Sequence, residues 1–119
     1  MSKVKIEVIL KTNDCNSMEE YNALLNNNKL IYQEKEFKTT LTIDKKFTMK
    51  RESAEYLFYL EFEANKCTNG YCMIKNYNKR INLDILTDYI IIEKELLILK
   101  YKIITTEQEV IYRLNLLKK

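Results

Sequence analysis

Apolar and polar residues alternate one for one along most of this chain. In the opening segment Val4, Ile6, Val8 and Leu10 alternate with Lys3, Lys5, Glu7 and Ile9. Phe37, Thr39, Leu41 and Ile43 repeat the pattern, and Phe47, Met49 and Arg51 continue it after an Asp44-Lys45-Lys46 turn. Tyr56, Phe58, Leu60 and Phe62 form a further row, then Ile81, Leu83 and Ile85, and finally Val110, Tyr112, Leu114 and Leu116. A period of two sends successive side chains to opposite faces, so each run is a half-buried strand.

Two stretches carry competing signals. Ser17-Met18-Glu19-Glu20 has capping-box spacing, so residues 18–25 read either as a short helix or as a strand. Residues 93–104, EKELLILKYKII, have enough apolar content for a buried helix. Strand is the better reading there, because Tyr89-Ile90-Ile91-Ile92 is rich in β-branched residues and Leu97, Leu99, Tyr101 and Ile103 alternate with Lys100 and Lys102. Glu93-Lys94-Glu95 then becomes a turn, as does Asn26-Asn27-Asn28, since asparagine tolerates positive φ.

The count is eight to nine strands with short local connections and no long helix. With 119 residues the chain forms one domain, residues 1–119, large enough for a real core. An antiparallel up-and-down meander of this kind closes on itself, because closure removes the exposed edges that invite aggregation. The expected fold is therefore all-β, a small closed antiparallel β-barrel.

Two absences narrow the chemistry. With no histidine, the chain lacks the usual general base near neutral pH and the commonest transition-metal ligand. One glycine and no proline leave no material for a glycine-rich phosphate loop. A non-enzymatic protein without a cofactor is expected; Asp84 is a conceivable base, but no constellation surrounds it. The N-terminal alternation is not the continuous apolar core of a signal peptide, and no run reaches the roughly 18 apolar residues of a membrane span. A cytoplasmic, non-membrane protein follows, with thiols kept reduced.

The run from Lys29 to Arg51, KLIYQEKEFKTTLTIDKKFTMKR, followed by LEFEANKCTNGYCMIKN and INLDILTDYIIIEKELLILKYKI, resembles the YwiB-like family of bacterial lipocalin-like (calycin) barrels. The resemblance runs over nearly the whole chain, most clearly residues 29–116. It rests on threonines before the Asp44 turn, Arg51 ending a strand, Phe62 at a hairpin, Thr68, Gly70 and Tyr71 in order, then Leu83, Ile85 and Thr87. It implies a small cytoplasmic lipocalin-like barrel from a family without an established activity. The chain departs from the family where members often carry further glycines, near Ala64-Asn65 and at Asn78-Lys79-Arg80.

The only glycine sits between two of the three cysteines, in KCTNGYC, residues 66–72. Asn69-Gly70 by itself is a strong hairpin signal that would set Cys67 opposite Cys72 and permit a disulfide. The resemblance implies instead a turn at Glu63 to Lys66, with Gly70 inside a strand as a bulge or a point of close approach. This second arrangement is favoured, and uniform strand then places the two sulfurs on opposite faces. With Cys15 remote and no histidine, a tetrahedral metal site lacks a ligand, so no metal is expected.

Arg51 continues the inward row of Phe47 and Met49, and an unpaired guanidinium there is costly. Either it is met by carboxylate, carbonyl or solvent at a barrel end, or it anchors an acidic ligand in a cavity lined by Tyr56, Phe58, Tyr71, Met73 and Tyr101. The leading reading is a binding module for a small, partly apolar ligand, with an acidic group on it if Arg51 is the anchor. The alternative is a structural or protein-interaction barrel with a filled core, for which Leu57, Ile90, Ile98 and Ile111 are outward candidates for a homodimer contact. Nucleic acid is not expected: the net charge is only +3, although Tyr32, Tyr59, Tyr77 and Tyr89 among lysines, with a basic patch at Lys100, Lys102 and Arg113, form the pattern of a stacking platform.

Overall fold

The computed structural model describes residues 2–118. Within them the alternating segments form ten antiparallel strands: β1 (Ser2–Thr12), β2 (Asn16–Asn26), β3 (Lys29–Gln33), β4 (Lys38–Ile43), β5 (Phe47–Glu52), β6 (Tyr56–Phe62), β7 (Cys67–Ile74), β8 (Lys79–Glu93), β9 (Leu96–Ile103) and β10 (Gln108–Lys118). Each strand pairs with its sequence neighbour, and β10 returns to β1 to close the barrel. The all-β, closed up-and-down barrel expected from the alternation is thus observed, with ten strands where the periodicity shows eight to nine.

The uncounted strands explain themselves. β2 runs straight through the capping-box segment, yet only Ala23 along it is buried. Its first inward positions, Ser17 and Glu19, are polar and line the open barrel end, and only from Tyr21 onward does the row pack against the core, so apolar alternation is not enforced over its first half. β3 is five residues long, too short to show a period. Residues 93–104 hold the expected turn and strand, with β8 and β9 pairing Glu93 to Leu96.

The turns show how a chain with a single glycine reverses direction. Asn27, Asn65 and Asn78 take positive φ of 52°, 63° and 49°, and Glu107 does so at 58°. Asparagine supplies the left-handed conformations that glycine commonly provides, at the two turns where the resembled family carries extra glycines among others. A single turn of 3₁₀ helix, Lys75–Tyr77, precedes Asn78. Among the described residues no helix is long and apolar enough to cross a membrane.

Gly70 lies inside β7, paired with Leu60 on one side and Leu83 on the other, and the β6–β7 turn is closed by Lys66 N–H donating to the Glu63 carbonyl. The glycine is needed for room: a Cβ there would sit 2.5 Å from the Tyr59 carbonyl oxygen, 2.9 Å from Ile85 Cδ1 and 3.0 Å from Leu60 Cδ2. Register stays unbroken at this point, so Gly70 marks close approach and not a bulge. Cys67 consequently points outward and Cys72 inward, and both are free thiols.

A bulge does occur in β8, where Thr87 pairs with Tyr101 and Tyr89 with Lys100, leaving Asp88 as the extra residue. It reverses the facing of everything that follows. Ile90, an expected outward residue, turns inward against the core, while Tyr89 and Ile91 turn out. Ile6, Leu41, Phe62, Ile85 and Leu99, each at most 2% exposed, form the mid-barrel packing. Burying five such side chains contributes on the order of 10 kcal/mol before chain entropy is charged against it.

Candidate functional site

The meander sends the β1–β2, β3–β4, β5–β6, β7–β8 and β9–β10 connections to one end of the barrel. At that end a cavity of about 430 Å³ opens above the mid-barrel packing. Its walls are mainly aliphatic, with Val8, Leu10, Met49, Leu60, Leu83 and Val110 among them, because these are the inward positions of their strands. Polar groups enter from three directions.

Arg51, at the end of β5, is the first. Its Nε donates to Glu34 Oε2 at 3.3 Å and its terminal nitrogen to Glu34 Oε1 at 3.1 Å, a two-point grip. Thr39, fully buried on the neighbouring strand, donates to the same Glu34 Oε2 at 2.5 Å. The guanidinium also lies over the Phe37 ring, 4.6 Å from its centroid. Of the two roles considered for Arg51, pairing with a carboxylate at a barrel end is therefore the one seen in the chain itself.

The tyrosines are the second. Tyr32 and Tyr112, eighty residues apart in sequence, share a buried hydrogen bond between their hydroxyls at 2.7 Å. Tyr21 stacks on Tyr32 with ring centroids 5.0 Å apart. Tyr101 packs its ring on Phe62 at 4.7 Å and lines the same cavity as Arg51 and Tyr32. Burial pushes the Tyr32 and Tyr101 phenols up to about 12, and Tyr112 also rises well above the ordinary value for the same reason. All three remain neutral hydrogen-bond donors at any physiological pH.

Cys72 is the third, the inward thiol of β7. Burial raises its pKa, which keeps it as the unreactive thiol. No group of three or more cysteines and carboxylates capable of holding a metal ion is present among the described residues.

Of the residues expected to line the cavity, Arg51, Phe58 and Tyr101 do so. Tyr56 sits beyond the rim on the same row, 37% exposed, with its ring 6.2 Å from that of Phe58. Tyr71 and Met73 are corrected to the outer face, because Gly70 and Cys72 occupy the inward positions of β7. There Tyr71 stacks on Tyr59 at 5.5 Å and carries Arg80 over its ring at 4.1 Å. Large apolar character misled the assignment: an outer-face stack is as favourable for a tyrosine as an interior position. Tyr112 stands on a row already read as inward, but nothing local marks Glu34, which reaches the site only through the fold. Asp84 is exposed on the outer face of β8, outside the cavity. Tyr32 lies 3% exposed in the interior, which removes it from any stacking platform, and Lys100 pairs with Asp88 at 3.5 Å.

The chain matches no protein-family model and no curated protein. Among solved structures it is similar to the ywiB protein from Bacillus subtilis, with a TM-score of 0.60 and 11% sequence identity over 98% of this chain and 91% of that chain. At that identity the likeness is one of fold. The barrel is YwiB-like in its architecture, as the order of its sequence motifs implies.

Proposed function

We propose that this protein is a non-enzymatic, cytoplasmic binding module whose barrel end receives a small, partly apolar ligand, and that it belongs with the YwiB-like group of lipocalin-like (calycin) barrels as one domain. The observation that carries the reading is the cavity itself. It has the size of ordinary small-molecule sites, mostly aliphatic walls and a few convergent polar groups. Arg51, Phe58 and Tyr101 are the ligand contacts retained from the sequence; Tyr21, Tyr32 and Tyr112 join them. Glu34 already neutralises Arg51 and holds two of its N–H groups, so apolar burial takes precedence over charge in this reading.

The test uses N-phenyl-1-naphthylamine, an apolar and uncharged fluorophore, with the wild-type protein and Cys72→Phe, which places a ring into the cavity from an inward position. One-to-one binding that raises the melting temperature, weakened at least tenfold in the variant while the circular dichroism is unchanged, supports the proposal. Absence of binding, or binding indifferent to the variant, refutes it.

A second reading rests on the outer face, where Ile9, Ile98, Ile111 and Tyr89 line a shallow groove of about 270 Å³ with Lys11 and Arg113. Contact between two copies of the chain would cover it, and a monomeric mass in solution at high concentration would exclude that contact.

A further inference from the structure

The polar groups of the cavity are unbalanced in a way that specifies the ligand's chemistry, an inference that rests on the binding reading above. The acceptor beside Arg51 is largely used. Glu34, the carboxylate most closely tied to the cavity's polar cluster, already receives Thr39 and two N–H groups of Arg51. The donors are in surplus. Tyr101 is 7% exposed and lines the cavity, and no hydrogen bond among the described residues satisfies its hydroxyl. In the Tyr32–Tyr112 pair one hydroxyl proton is shared, and the accepting hydroxyl keeps a proton of its own.

A phenol that opens into a mainly aliphatic cavity without a protein partner is left to water, and a guest oxygen that takes the water's place restores the bond in a drier setting. We infer that the ligand is an uncharged molecule with an apolar body that presents a carbonyl-type oxygen to the Tyr101 hydroxyl, with the Tyr32–Tyr112 pair as the adjacent donor. Neutrality follows from the ion pair. Arg51 carries no uncompensated charge to attract an anion, and an anion entering the cavity would share its wall with the Glu34 and Glu19 carboxylates. A ligand that is itself a donor finds Glu34 occupied beside Arg51, and the other carboxylate on the wall, Glu19, is exposed. An acceptor finds a donor waiting.

Three probes of similar size separate the terms: acetophenone carries the neutral oxygen, isopropylbenzene replaces it with carbon, and benzoate carries a charged one. Titrations of each into the wild-type protein, Tyr101→Phe and Tyr112→Phe are followed by ligand-observed NMR. Acetophenone is expected to bind roughly tenfold more tightly than isopropylbenzene, as one hydrogen bond to a buried donor allows. Tyr101→Phe, which keeps the ring and removes only the hydroxyl, is expected to erase most of that difference by weakening acetophenone alone. Tyr112→Phe is expected to narrow it less. Equal binding of acetophenone and isopropylbenzene by the wild-type protein overturns the inference and leaves the binding reading intact. So does a preference for acetophenone that survives Tyr101→Phe, and so does tighter binding of benzoate than of acetophenone. Failure of all three probes to bind overturns the cavity's role and this inference together.

Discussion

Replacing Gly70 with alanine tests the tightest contact in the barrel. The added methyl would lie 2.5 Å from the backbone oxygen of Tyr59, against roughly 3.3 Å for the closest ordinary contacts of carbon with a carbonyl. The obstacle is backbone, so no side-chain rotation relieves it, and β6 and β7 must separate by most of an ångström. Ile85 and Leu60, whose methyls stand at 2.9 and 3.0 Å, must also give way. Overpacking of this kind costs about 1–3 kcal/mol, offset by about 0.5–1 kcal/mol from the reduced freedom of the unfolded chain. The net loss is about 1–2 kcal/mol. For a domain of this size that is a fall in melting temperature of roughly 4–8 °C, readable by calorimetry or thermal circular dichroism. An Asn69-Gly70 turn would also resist alanine, so Asn69→Thr is the paired control. Asn69 is exposed on the outer face of an extended strand, where a β-branched residue should leave stability within about 0.5 kcal/mol. A Gly70→Ala protein as stable as its parent refutes the close-approach argument. A severe loss in Asn69→Thr refutes the strand register.

The buried phenols predict alkaline unfolding. As pH rises past 10 the unfolded chain releases protons from Tyr32 and Tyr101 while the folded barrel holds them to about 12. The stability they supply is therefore intact below pH 10 and lost progressively towards 12, about 5 kcal/mol for the two together. Tyrosinate absorbance and circular dichroism should change in a single cooperative step within that window. Ionisation of all nine tyrosines in a barrel that stays folded would contradict it. Thr87 offers a test of opposite sign, since its hydroxyl is fully buried without a partner. Thr87→Val should raise stability by about 1 kcal/mol in denaturant titration, and a loss of similar size would show that the hydroxyl is in fact bonded.

The strands were legible wherever core packing enforces alternation. β1, β4, β5, β9 and β10 follow their apolar rows closely, and β8 does so up to its bulge. β2 was obscure because its first inward positions, Ser17 and Glu19, are polar and line the open barrel end. The asparagine-rich turn at Asn26-Asn27-Asn28 announced itself, and the glycine inside KCTNGYC was legible as a bulge or a close approach once the family resemblance placed a turn at Glu63 to Lys66, the register then deciding for close approach. Arg51 was legible as a charge in need of company, because its row pointed inward. Tyr71 and Met73 were misplaced because Gly70 and Cys72, the true inward pair, carry almost no apolar signal.

Alternation and turn chemistry are local properties, and together they determined an all-β closed meander and most of the residues inside it. Which inward residues meet was decided elsewhere. The extra residue at Asp88 reset the facing of β8, closure of β10 on β1 placed Tyr112 beside Tyr32, and the β3–β4 connection carried Glu34 to Arg51. Each of these contacts joins positions that no repeat of two residues connects. Their geometry depends on the shear and closure of the whole ring, a quantity that accumulates over all ten strands and is visible in none of them singly.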